Sequence, residues 1–152
     1  MNEYELFKLA NSNKELKKVF VGIFASDELL KYDTTRHSPP MAFIINTEPR
    51  DKPGQHWVAL YIDSDSKAQF FCSYGSRPSS VILDFCRRYT CPPATFSMWS
   101  LQSPAASSCG PWTVLFLASR ARGSSLLQFV QRFDHYNWYK NEARLEKRLK
   151  SL

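Results

Sequence analysis

The sequence predicts a single domain that mixes helices with strands, and three observations carry the prediction. Its 152 residues are enough to bury a substantial core in one unit. Segments with helical period open and close the chain, and several runs of β-formers lie between them. With 43% hydrophobic and 22% charged residues, the composition is that of an ordinary globular protein.

Each element has its own justification. An amphipathic helix over Asn2–Ala10 puts Leu6, Leu9 and Ala10 on one face, and Asn11, Ser12 and Asn13 break it. A short helical piece, Lys14–Lys18, leads into a strand over Val19–Phe24. Ser26-Asp27-Glu28 reads as a turn or helix start. Tyr32–Pro40 is polar with a double proline, hence a loop, and His37 within it reads as a solvent histidine without a partner. Ala42–Asn46 is a continuous apolar run, as expected of a strand buried on both faces. Trp57–Asp63 and Gln69–Ser73 are rich in β-formers and flank a short turn, Ser64–Lys67, that suits a hairpin. The Pro- and Gly-bearing turn Pro49–Gln55 delivers His56 to the start of the first of these two. A helix over Ser79–Tyr89 gathers Val81, Ile82, Phe85 and Cys86 on one face, with Arg87 and Arg88 at its C-terminal end, and Pro92-Pro93 stops the chain there. Thr95–Leu101 returns as a strand that runs into Gln102.

The stretch Leu101–Leu117 is the one the rest of the chain serves. Ser107 and Ser108 are good N-cap residues and Pro111 suits a first helical turn, so Cys109 opens a helix. A helix N-terminus favours the nucleophilic thiolate of a cysteine; a buried cysteine opening a core helix is the plainer alternative. Gly123 suits the C-cap, and Ser124/Ser125 start a further helix to Phe133. The tail, Asn141–Leu152, carries Leu145, Leu149 and Leu152 beneath a basic face and reads as an amphipathic helix packed on a domain of residues 1–140; a tail that binds nucleic acid or a partner is the alternative.

Several function classes are disfavoured. The longest apolar run, Val114–Ala118, is far too short to cross a bilayer, and the N-terminus lacks a secretory signal pattern. Cys72, Cys86, Cys91 and Cys109 show no CxxC spacing, so neither a zinc site nor a thioredoxin-like motif is indicated, and a reducing, intracellular setting fits. A net charge of +6 permits contact with nucleic acid or equally describes a solvated basic surface.

Nucleophilic cysteine chemistry needs a base and donors for the oxyanion of the tetrahedral intermediate. His56 precedes a strand, Gln102 follows one and Cys109 opens a helix, so the three can meet at one edge of a sheet. The Gln102 side-chain amide and the Cys109 backbone N–H are the candidate donors. The ordered set His56-Trp57, then Ser73-Tyr74-Gly75 after a strand, then Gln102 seven residues before Cys109-Gly110, resembles the adenovirus protease (adenain) family, in the wider group that includes the SUMO-deconjugating Ulp proteases. Val21–Phe24 and Phe43–Asn46 join the match, which runs from about Leu6 to Phe133. The resemblance implies an α+β fold with a mixed central sheet flanked by helices. It also implies cysteine peptidase activity on viral or mobile-element capsid precursors at Gly-containing sites, in a host nucleus or virion. A deconjugase of a ubiquitin-like protein and a catalytically inactive binding module are the alternatives.

Carried over, Cys109 is the nucleophile, His56 the general base and acid, and Gln102 with the Cys109 amide the oxyanion hole. Gly110 follows the nucleophile. Trp57 stacks beside the His–Cys pair, or else is simply a core residue of its strand. The family's acidic third member falls here on Cys72, a weak hydrogen-bond acceptor. An active Cys–His enzyme, an inactive relative and a substitution introduced into the chain all fit that residue, and Asp27, Asp51 or Asp63 could supply a carboxylate in space. The resemblance further implies no metal or organic cofactor, but an activating peptide and DNA. Cys91, eleven residues before Gln102, matches the spacing of the cysteine through which such a peptide is joined.

Overall fold

A computed structural model describes residues 1–33, 35–54, 56–88, 90 and 93–152. The proposed peptide thiol Cys91, Pro92, Tyr89 at the end of the expected third helix, and Gln55 before the histidine lie outside the described residues. The helices are α1 (Glu3–Ser12), α2 (Lys14–Lys17), α3 (Ser80–Cys86), α4 (Cys109–Ala121), α5 (Leu126–Val130) and α6 (Trp138–Leu149). The strands are β1 (Phe20–Phe24), β2 (Met41–Asn46), β3 (Trp57–Ile62), β4 (Ala68–Phe71) and β5 (Thr95–Phe96). Among the described residues they form one five-stranded sheet in the order β1-β2-β3-β4-β5. Both outer pairings are parallel and the two inner ones antiparallel, which makes the sheet mixed.

Strand alternation splits the core into two layers. Ala42, Ile44, Ala59, Tyr61 and Phe71 face α4, with Trp112, Phe116 and Phe129 behind them. Met41, Phe43, Ile45, Val58, Leu60 and Phe70 face the other way, against Ile82 and Phe85 of α3 and against Leu29. β2 is therefore buried on both faces, as its unbroken apolar run requires. Helix α4 runs through the first layer, buried from Gly110 to Ser119 apart from Pro111. The β3–β4 turn forms because the Asp63 carboxylate accepts from the Asp65 and Lys67 N–H groups while Ser66 takes a left-handed φ of 57°.

Several element boundaries differ from expectation. Helix α1 continues through Asn11 and Ser12, whose side chains donate back to the Phe7 and Leu9 carbonyls, and it stops only at Asn13. His37 is exposed but partnered, by a hydrogen bond to the Tyr32 hydroxyl. Of the expected strand Thr95–Leu101 only Thr95–Phe96 pairs with β4; the later residues run beside the turn after β4, where the Leu101 N–H donates to the Ser73 carbonyl instead of joining a ladder. Helix α5 ends at Val130, three residues short of Phe133. Helix α6 begins at Trp138, earlier than Asn141, since the Asn137 side chain caps it by accepting from the Lys140 N–H at 3.0 Å.

Candidate active site

His56 stands immediately before β3 and Cys72 immediately after β4, two neighbouring antiparallel strands, so both arrive at the same end of the sheet. His56 Nε2 and Cys72 Sγ are 3.1 Å apart in a hydrogen bond. The other ring nitrogen, Nδ1, is buried and has no hydrogen-bond partner among the described residues. Burial pushes the His56 pKa down to about 4, so the ring is neutral at pH 7. A neutral ring carries one N–H. If Nε2–H donates to the Cys72 sulfur, Nδ1 is the lone pair free to accept a proton.

Depressed basicity makes this a stability switch with a fixed sign. Unfolded, the ring titrates near its ordinary 6.5 and so binds more protons than the native ring between about 6.5 and 4. The His56 contribution is fully present above that window and is lost as pH falls through it. The expected result is a Tm that declines from about pH 6.5 to 4, with a shallower decline in His56→Asn; the same slope in both proteins would refute the assignment.

Tyr74 gathers the remaining groups. Its ring lies 4.7 Å from the His56 ring, centroid to centroid. Its hydroxyl donates to the Ala106 carbonyl at 3.1 Å and accepts from Gln102 Nε2 at 3.1 Å. The Tyr74 pKa is raised, first by burial and then by the electrostatic influence of Cys109, Cys72 and Glu142. The phenol thus lies within electrostatic reach of both thiols. No hydrogen bond joins Cys109 to His56 among the described residues.

Gln102 is fully buried and held from both ends of its amide. The Ser73 hydroxyl donates to Oε1 at 2.6 Å, which fixes the amide's orientation. Nε2 then donates to the Tyr74 hydroxyl and, at 2.8 Å, to the Ala106 carbonyl. Both amide hydrogens are therefore engaged within the chain. The Ser73 carbonyl also accepts from the Leu101 and Gln102 N–H groups, so the turn after β4 is the platform on which Gln102 sits. Gly75 completes that turn at φ +75°, and a Cβ there would lie 2.5 Å from the Met98 carbonyl oxygen, so only glycine fits.

Cys109 is the first residue of α4, where a backbone N–H has no intrahelical acceptor. Ser108 is the N-cap residue, but its hydroxyl caps nothing and instead donates to Glu142 at 2.9 Å. Gly110 lets α4 approach α1, a Cβ there meeting the tip of Leu6 at 2.7 Å. Trp57, the first residue of β3, packs into the α4 layer with Ala59 and Tyr61 of the same face; Tyr74 is the aromatic against His56. Asp27 accepts from the Arg50 N–H and Asp63 shapes the hairpin turn. No carboxylate hydrogen-bonds His56 among the described residues. Cys86 is buried in α3 with its thiol pushed up to about 11, a packing residue.

Two residues of these surroundings went unassigned in the sequence. Tyr74 stood in the Ser-Tyr-Gly motif without a role, while Glu142, which takes the Ser108 hydroxyl, lay in the tail with no signal at all.

No protein-family model matches the sequence, and no curated protein matches it. The crystal structure of the ASFV pS273R protease superposes with a TM-score of 0.65 and 14% identity, covering 93% of this chain and 64% of that one. The selenomethionyl form of the same ASFV protease aligns over 66% of this chain and 43% of its own, at 18% identity and a TM-score of 0.49. This chain thus spans 64% of the length of the protease it matches. With its mixed sheet between helical layers, the chain shares the α+β fold of the ASFV pS273R protease.

Proposed function

We propose that this chain is a cysteine peptidase acting on polypeptides, with viral or mobile-element precursor proteins and Gly-containing sites as its substrates. The observation that supports it best is the cluster around Tyr74, where a neutral imidazole with a free Nδ1, a side-chain amide and a helix-opening thiol converge within one fold. In this reading Cys109 Sγ attacks the scissile carbonyl and its proton passes to His56 Nδ1. The oxyanion takes a hydrogen bond from Gln102 Nε2 and one from the Cys109 N–H. His56 then returns the proton to the leaving amine, and water hydrolyses the thioester.

A second reading has support of its own: Cys72 stands where an acid belongs, and Gln102 is fully engaged. Both features suit an inactive binding module. A peptide electrophile ending in a Gly-Gly mimic separates the two. The peptidase forms an adduct on Cys109, absent in Cys109→Ala, while Cys72 and Cys86 stay unmodified. A folded chain that forms no Cys109 adduct is the binding module.

A further inference from the structure

Helix α6 contributes two consecutive residues to the two segments that carry the site. Asn141 is polar yet fully buried. Its amide donates to the Leu101 carbonyl at 3.0 Å and to the Asp134 carbonyl at 2.6 Å, and its oxygen accepts from the Asp134 N–H at 2.8 Å. Leu101 is the residue before Gln102. Glu142 Oε1 accepts from the Ser108 hydroxyl at 2.9 Å and from the Trp112 indole N–H at 3.4 Å. Ser108 is the residue before Cys109, and Trp112 follows one turn later. Trp138 adds a third tie, its indole N–H donating to the Ser100 carbonyl at 3.3 Å.

Packing alone does not call for this. Leu145 and Leu149 of α6, with Leu152 just beyond it, already pack the helix against the first core layer. Glu142 has no salt bridge among the described residues, and its carboxylate meets the N-terminal turn of α4, where the helix dipole favours negative charge. Neutral hydroxyl and indole donors to a carboxylate are charge-assisted hydrogen bonds, stronger than ordinary ones.

We propose that Asn141 and Glu142 are positioning residues, which hold the Gln102 donor and the Cys109 nucleophile in fixed relation through their preceding residues. The proposal rests on the peptidase reading. Its test uses the full chain with Glu142→Ala, Glu142→Gln and Ser108→Ala. Two quantities are measured: amide hydrogen exchange over residues 101–112, and the rate of Cys109 modification by the Gly-Gly electrophile against its concentration.

In Glu142→Ala, exchange accelerates over 101–112 while β2 and β3 stay protected. The limiting rate falls about 10- to 100-fold, the order expected for a reacting group misplaced by about 1 Å, and the half-saturating concentration is unchanged. Glu142→Gln keeps an acceptor oxygen and recovers most of the rate. Ser108→Ala removes the same bond from its other side and decides the matter should Glu142→Ala fail to fold. An unchanged limiting rate, unchanged exchange over 101–112, or a glutamine variant as slow as alanine overturns the proposal. If the unmutated chain gives no Cys109 adduct, the peptidase reading fails, and the exchange comparison alone then decides whether Glu142 orders this segment.

Discussion

Cys72→Asp is expected to accelerate modification of Cys109 by between about tenfold and ~10⁴-fold, the upper figure being the loss when a serine triad's acid is neutralised. The sulfur 3.1 Å from His56 Nε2 is a poor acceptor, so it neither fixes the Nε2–H tautomer nor supports a positive ring. A carboxylate there does both. It selects Nδ1 as the basic nitrogen and raises the His56 pKa from about 4, where burial alone has placed it. The acidic limb of the pH–rate profile moves to higher pH accordingly. The site can house the charge: His56 and Cys72 line a cavity of about 130 Å³ together with Arg77. Second-order rate constants for the Gly-Gly electrophile, measured from pH 4 to 8 on both proteins, check this. Superimposable profiles would show that position 72 is not the third member of the site.

Gln102→Ala is expected to lower the limiting rate by about 10²- to 10³-fold, the usual cost of losing one oxyanion donor. Because the side chain is buried and satisfied at both ends, alanine also leaves the Ser73 hydroxyl without its acceptor and opens a cavity, at a cost of about 2–4 kcal/mol in stability. Gln102→Glu separates these effects. It preserves size and an acceptor for Ser73 but removes both N–H donors. Rate constants and denaturant unfolding on the two variants give the comparison. A glutamate variant that reacts at the unmutated rate would remove Gln102 from the chemistry and leave it a purely structural amide.

How far the sequence could be read depends on how local each cause is. The β3–β4 hairpin was legible because Asp63 shapes its turn within four residues. β2 was legible because burial on both faces writes an unbroken apolar run. Thr95–Leu101 has local β character, yet its pairing depends on where β4 ends, which no local pattern states. His56, Gln102 and Cys109 were found as an ordered set within a motif. Of the two roles open to Trp57, packing as a core residue of its strand is the one that agrees with its place in the α4 layer. The hydroxyl of Ser108 looks like a helix cap until Glu142, 34 residues later, takes it. The bonds from Asn141 to Leu101 and from Glu142 to Ser108 span 40 and 34 residues, and a helical tail of basic residues and leucines does not announce them.

The Ala106 carbonyl has a consequence for how this chain would select what it cleaves. It accepts hydrogen bonds from both Gln102 and Tyr74, the same kind of bond an incoming oxyanion must make. Lying four residues beyond Gln102, it is an internal competitor, present at the high effective concentration of any tethered group. A short ligand offering a single carbonyl gains little by exchanging one acceptor for another. A long polypeptide can spend contacts made elsewhere on displacing the Ser103–Ala106 segment. In the proposed peptidase, discrimination against small amides would in this way be set by the resting chain, before any substrate residue is read.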